Sequence, residues 1–365
     1  VVDVFSGRVI KADVIIKDGI ICGVGSYSGE NEQDVSGKYI MPGFIDSHVH
    51  IESSMTQPSE YAKAVMPHGI TTVIADPHEI TNVCGEDGLE FMLKSAKNIP
   101  LDVNLMLPSC VPATPFEHTG ANLDAKTTQK LAPKFFGIGE MMNYPGIVSG
   151  DDETLGKLCL DIIDGHAPLL SGHELDAYAS AGIKTDHECS VVEEMTEKIS
   201  KGMYILLREG TLSLDVAKLI KGVTPYTLRR CAFCTDDRFV GEIIRDGSID
   251  HCIRKAVSLG LNNIDAIIMA TLNACEMYGM KNKGAIAPSY IADIVVADDL
   301  NLSSISQVYK NGKLVCENGK ALFECETVDN SKVTNTVHLP KISADFFKTD
   351  VKDKFDAIEL IPESI

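Results

Sequence analysis

The sequence predicts an α/β fold: a (β/α)8 TIM barrel with a small β-sandwich domain built from both chain ends. Three observations lead there. Through the middle of the chain, apolar strand-like runs alternate with helix-like stretches, the pattern of βα units around a parallel sheet. Eight such runs fall in the 247 residues from Tyr39 to Ala285, and eight units typically need about 250 residues. Short alternating segments punctuated by Asp-Gly and Asn-Gly pairs occupy both ends.

In chain order, residues 1–38 read as short strands, with "VIIKDGIICGVG" alternating apolar and polar positions and turning at Asp18-Gly19. The barrel runs follow at 43–50, 71–79, 101–109, 135–143, 162–168, 182–188, 203–210 and 229–237. Helical periodicity fills the gaps, as in "PSEYAKAVMPHG", "EDGLEFMLKSAKN", "SVVEEMTEKISKG" and "IDHCIRKAVSLG". The β texture returns in "IADIVVADD" and in "QVYKNGKLVCENGKALF", with turns at Asn311-Gly312 and Asn318-Gly319. The expected division is therefore 1–38 with 286–325 as the β domain and 39–285 as the barrel. Residues 326–365, of mixed polarity and without a period, are expected to open a truncated C-terminal region.

Composition excludes several classes. With 44% hydrophobic and 23% charged residues the chain is globular, and no apolar run is long enough to cross a bilayer. A formal net charge of −19, without a Lys/Arg stripe, is repelled by a phosphate backbone and excludes nucleic acid as a partner. Eleven scattered cysteines, an odd number lying mostly in apolar segments, are expected as reduced thiols, which points to a cytoplasmic location. The chain opens at Val1 with no basic or apolar leader, so no targeting peptide is expected. The apolar "AIIMATLNACEMYGM" is a candidate dimer face or a packing face for the β domain.

The ionisable residues carry the chemistry. In "FIDSHVHIESS", His48 and His50 sit two apart at the end of the first run and project to one side of a strand, where they can share a metal ion. Glu140 ends the fourth run, His166 the fifth, His187 the sixth, and Asp236 and Asp237 the eighth. All fall at the strand ends where barrels build their active sites. Six ligand-type groups (His48, His50, Glu140, His166, His187, Asp236) exceed one ion's needs and suggest a binuclear site, and imidazole with carboxylate suits Zn2+, Fe2+ or Mn2+. The "CAFC" pair, Cys231 and Cys234, is read as structural, because an offset of three directs its thiols to opposite faces. His68, His78, His173 and His251 are assigned to helices or turns as structural or solvated residues, and His118 to a Pro-rich lid loop.

The stretches "MPGFIDSHVHIESS", "ADPHEITNVCG", "GIGEMMNYPGI", "IDGHAPLLSG", "AGIKTDHE", "MYILLREG" and "CTDDR" together resemble the adenine deaminases of the amidohydrolase superfamily. "GAIAPSYIADIVVADD" resembles that superfamily's return into its small β domain. The resemblance implies that His48, His50 and Asp236 hold one metal and His166 and His187 the other. Glu140 would lie between them, where many relatives carry a carboxylated lysine. It implies Mn2+ or Fe2+, and water attacking C6 of adenine with loss of ammonia to give hypoxanthine. Asp236 is then the expected general base and acid, and Glu79 the leading donor to the ring nitrogen. Asp76, Glu52 and Asp237 are further candidate ring contacts, with orientation of a ligand or a solvated helix start as their alternatives. Arg208 is a candidate for fixing a carboxylate, or else a structural ion pair. Two departures stand out: "FVGEIIRDGS" lacks the His-Pro expected after "TDDR", and relatives continue past Ile365. Competing readings are a cyclic amidohydrolase or amino-sugar deacetylase, and a catalytically silent metal-binding fragment.

Overall fold

The structure, a computed structural model, describes residues 1–114 and 116–348; of the expected C-terminal region, residues 349–365 lie outside the described residues. The N-terminal segment forms β1 (Val2–Asp3), β2 (Arg8–Val9), β3 (Asp13–Lys17), β4 (Ile20–Gly25) and β5 (Tyr39–Pro42). The barrel strands follow as β6 (Phe44–Val49), β7 (Ile70–Ala75), β8 (Asp102–Leu107), β9 (Gly137–Met141), β10 (Ile163–Gly165), β11 (Thr185–Asp186), β12 (Tyr204–Arg208) and β13 (Cys231–Cys234). The chain then returns through β14 (Ile294–Ala297), β15 (Ile305–Lys310), β16 (Lys313–Glu317) and β17 (Lys320–Ala321).

The eight central strands are parallel and lie in two arcs, β6 through β10 and β11 through β13. One seam between the arcs closes where Val49 bridges Asp236, with the Asp236 N–H donating to the His48 carbonyl at 3.0 Å and the His50 N–H to the Asp236 carbonyl at 3.1 Å. At the other, the Gly165 N–H donates to Thr185 Oγ1 at 3.0 Å. The result is a distorted (β/α)8 barrel, as the alternation of runs predicts. Each observed strand is shorter than its apolar run because the last residues of the run, including those with polar side chains, leave the ladder for the mouth.

Alternation along β13 sorts its side chains. Cys231 and Phe233 join the core between strands and helices, whereas Ala232 and Cys234 pack with Ile45, Leu206 and Ala274. The two thiols thus diverge, as their spacing requires. Tyr278 fills the barrel floor with Ile74 and Met106, and its hydroxyl donates to the Ser47 carbonyl at 2.6 Å while meeting Asp164 Oδ1 at 3.0 Å.

Both chain ends build the appended β layer. β5 pairs antiparallel with β14 in a sheet ordered β17-β16-β15-β14-β5, and the β3–β4 hairpin packs beside it over a core of Ile21, Ile286, Ala292, Ile294 and Val296. The hairpin turns are those the sequence signals: Asn311 and Gly312 have φ of 50° and 72°, the left-handed pair that tight hairpins need.

An ion-pair quartet, buried at Lys310 and Asp293 and partly exposed at Asp102, fastens this layer to the barrel floor. Lys310 Nζ lies 2.9 Å from Asp102, the first residue of β8, and 3.0 Å from Asp293, which also binds Lys283 at 2.7 Å. Removing one member leaves a buried carboxylate short of its cation, so Lys310→Met is expected to lower stability by about 3 kcal/mol. The urea midpoint measures it; an unchanged midpoint refutes the clasp.

Candidate active site

Strand ends β6, β7, β9, β10, β11 and β13 deliver a cluster of imidazoles and carboxylates to one mouth. Asp236 sits just past β13 with φ 56°, a left-handed conformation unusual for a side-chain-bearing residue. The two backbone bonds to β6 hold it there, and the turn aims its carboxylate at the first histidine pair. Its Oδ1 lies 3.4 Å from His48 Nε2 and 3.1 Å from His50 Nε2. The two Nε2 atoms face each other at 3.1 Å. His50 Nδ1 donates to the Asp76 carbonyl at 2.8 Å, which leaves Nε2 as the free donor atom of the neutral ring.

Glu140, buried at the end of β9, stands at the centre. Its Oε2 meets His166 Nδ1 at 2.7 Å and His187 Nε2 at 3.1 Å, while Oε1 meets His78 Nδ1 at 3.2 Å and His50 Nε2 at 3.5 Å. His187 stacks on His48 with ring centroids 4.1 Å apart. The Glu140 N–H donates to Asp76 Oδ2 at 3.0 Å. Gly139 makes that bond possible, since a Cβ there collides with the Asp76 carboxylate. Gly139→Ala is therefore expected to dislodge Asp76, cost about 1–3 kcal/mol and weaken divalent-ion binding; melting and metal titration test it together, and a fully loaded, equally stable variant rejects it.

All six expected ligands come together, and the donor set fits divalent cations. Four groups at the mouth hold ligand atoms within 4.8 Å of one another: His48, His50 and Asp236; His48, Glu140 and His187; His50, His78 and Glu140; and His166, His187 and Glu188. The field points the same way. Burial opposes charge, yet Asp164 and Asp236 push His48 up to about 10, and the Glu79 charge holds His50 well above its usual range. Against the same cost of burial, His166, His187 and His78 hold Glu140 well below the carboxylate range, and His48 and His50 do so for Asp236. These carboxylates stabilise positive charge at the cluster, and nitrogen with oxygen and no thiolate is a set for borderline to hard ions.

The other expected contacts divide. Glu79, at the start of the helix His78–Ser95, reaches His50 Nδ1 at 3.4 Å and is partly exposed to the mouth. Glu52 lies beside it, accepting weakly from the Ile80 N–H at 3.4 Å; burial and the Glu79 charge raise it to about 8. Asp237 is exposed and accepts from Ser53 Oγ. Asp76 is wholly buried with its carboxylate on the Glu140 N–H, the geometry of an orienting group. Arg208 is also buried. Its Nη1 binds Glu188 and, at 2.9 Å, Asp236 Oδ2, while Nε binds Asp215 at 3.1 Å, so it fixes carboxylates from behind.

Three residues at the site were not expected there. His78, assigned above to a helix or turn as structural or solvated, instead faces Glu140, because helix and strand ends converge on the mouth. Glu188 lies 3.4 Å from His187 Nε2, and Asp164 stands 3.8 Å behind His48 Nδ1. Asp164 precedes His166 by two, the same one-sided spacing as His48 and His50, and was legible on that ground. Of the others, His68 pairs with Asp250 at 3.2 Å, and His118 and His173 are exposed.

Comparison with known proteins agrees with this geometry. The chain is 50% identical over 351 residues to an adenine deaminase of Clostridium acetobutylicum, which covers 94% of this chain and 62% of that protein. It is 44% identical to an adenine deaminase of Halalkalibacterium halodurans, over 100% of this chain and 65% of the relative. The chain thus spans a little under two thirds of the length of these relatives. Among solved structures, an enamidase superposes with a TM-score of 0.62 at 18% identity, covering 89% of this chain and 95% of that one. A β-aspartyl dipeptidase from Fervidobacterium islandicum gives 0.61 at 18%, covering 88% and 96%. At that identity the likeness is one of fold. No helix among the described residues is long and apolar enough to cross a membrane. The family model described as the amidohydrolase family matches residues 39–315, the barrel and its return into the appended sheet, and this chain belongs to that family.

Proposed function

We propose that the chain catalyses the hydrolytic deamination of adenine to hypoxanthine and ammonia. One observation carries the reading: Glu140 is shared by imidazoles from four strand ends, with Asp236 facing the first pair, in a chain half identical to a protein named adenine deaminase. His48, His50 and Asp236 would hold one divalent ion, His166 and His187 the other, and Glu140 both, with Mn2+ or Fe2+ favoured and Zn2+ compatible with the donors. Such a pair supplies Lewis acidity and brings the pKa of a water towards neutrality.

The chain's own residues do the rest. Asp236 takes the proton of the attacking water on Oδ1 and passes it to the departing amine, while Arg208 holds Oδ2 and keeps the carboxylate from rotating. Glu79 and Glu52 face the ring from the β7 and β6 loops. With Glu52 raised to about 8, the pair can carry one proton for the ring nitrogen that gains electrons as C6 becomes tetrahedral, and the second proton of the water, released from the C6 hydroxyl as ammonia departs, restores it. Asp237, on the exposed rim, contacts the ring edge. Asp76 and Arg208 act through Glu140 and Asp236.

The test is ammonia release from adenine by the metal-loaded chain, with cyclic amides and N-acetylated amino sugars as rival substrates. Opening of an amide without ammonia from adenine assigns another amidohydrolase chemistry. Glu79→Gln is expected to keep its metal and lose about 10²–10⁴-fold in kcat; turnover like that of the unmodified chain removes Glu79 from the mechanism.

The same reading takes residues 1–38 and 286–325 as one β domain, 39–285 as the catalytic barrel and 326–365 as the start of a further region. It also takes the protein as cytoplasmic and dimeric; the eleven free thiols support a reducing compartment.

A further inference from the structure

Behind the β10 and β11 ends lies a second cluster that the chemistry above does not use. Asp186, Cys189 and Glu194 bring their ligand atoms within 4.8 Å of one another, all buried. A cation already meets the two carboxylates: Lys198, fully buried on the helix Val192–Ser200, places Nζ 2.9 Å from Asp186 Oδ2, 2.7 Å from Glu194 Oε1 and 2.6 Å from the Ala167 carbonyl. The same carboxylates grip the chain on either side of two metal-site histidines. Asp186 Oδ1 accepts from the Ala167 N–H at 2.8 Å. Glu194 accepts from the Leu169 N–H at 2.7 Å and the Ser190 N–H at 3.3 Å.

Ala167 follows His166, and Asp186 precedes His187. The ammonium therefore ties together the two backbone segments that carry these imidazoles, which reach Glu140 Oε2 from different strands. The segments need such a tie because β11 has only two residues and is not joined to β10 by a regular ladder. We propose that Lys198 is a positioning residue for the second divalent ion, setting the His166–His187 spacing through Asp186, Glu194 and the Ala167 carbonyl. The proposal rests on the two-ion reading above and extends it to a residue that touches neither ion nor substrate.

Lys198→Met keeps the unbranched stem, one atom shorter, and removes the charge. Lys310→Met, which breaks the ion-pair quartet at the opposite end of the barrel, controls for loss of stability alone. Equilibrium dialysis against Mn2+ is expected to give two ions per unmodified chain and two for Lys310→Met. For Lys198→Met, the second ion should bind 10–100-fold more weakly, the usual loss on removing an outer partner of a metal ligand, with the first ion little changed. EPR should then show isolated Mn2+ in place of a coupled pair. Should Lys198→Met fail to fold, Glu194→Gln, which weakens the same grip, is read in the same way. Two ions at unchanged affinity in the variant overturn the role of Lys198 while leaving the two-ion reading intact. A single ion in the unmodified chain overturns both.

Discussion

Replacing Glu140 with Gln is expected to strip the divalent ions and lower ammonia release from adenine by at least about 10³-fold. Four imidazole nitrogens converge on this one carboxylate, at 2.7, 3.1, 3.2 and 3.5 Å. An amide keeps the shape but loses the charge, and it turns an N–H donor towards one of the two histidine pairs. From its central position Glu140 reaches both His50 and the His166–His187 pair. Metal content by atomic absorption and kcat on adenine are the readouts. A Gln variant that keeps two ions and normal turnover removes Glu140 from the bridge. Folding should survive, since the amide matches the carboxylate in size and shape.

Asp236→Asn is the second large effect, separable from the first by its signature. Asparagine can still offer an oxygen beside His48 and His50 to the ion proposed there but cannot accept a proton, so the metal should be largely retained while kcat falls by about 10²–10⁴-fold. Arg208 then loses a charged partner, but Glu188 and Asp215 remain to hold it, which limits the cost to stability. Comparing metal content at equal folding distinguishes a lost base from a lost ligand. Loss of metal and activity in proportion assigns Asp236 to ligation alone.

The contrast between Glu188 and Glu140 illustrates what could be read in advance. Glu140, His48 and His50 are legible because they end apolar runs in register, and the two-residue period of a strand puts i and i+2 on one side. By that rule Glu188, one residue after His187, belongs on the opposite face. β11 ends at Asp186, however, so both His187 and Glu188 lie beyond the strand where alternation no longer applies. His78 fails for a related reason. It opens a helix, and only the convergence of β7 with β6 and β9 turns its imidazole towards Glu140. Arg208 is legible as a strand-end cation, but beside Asp215 two of its partners come from 20 positions upstream and 28 downstream, distances over which sequence carries no pairing signal.

What the sequence determined by itself is the periodic part. Eight apolar runs at barrel spacing, Asx-Gly hairpins at both ends and polar donors at the run termini are local properties, set by backbone sterics and the alternation of side chains. Only the tertiary structure decided the rest: that Asp236 adopts a left-handed turn, that Asp76 accepts from the Glu140 N–H while Arg208 holds the carboxylates of Glu188 and Asp236, and that Lys198 answers the Asp186–Glu194 cluster. These depend on which neighbours can balance a buried charge, and that balance exists only once distant strands have been brought within a few ångströms of one another.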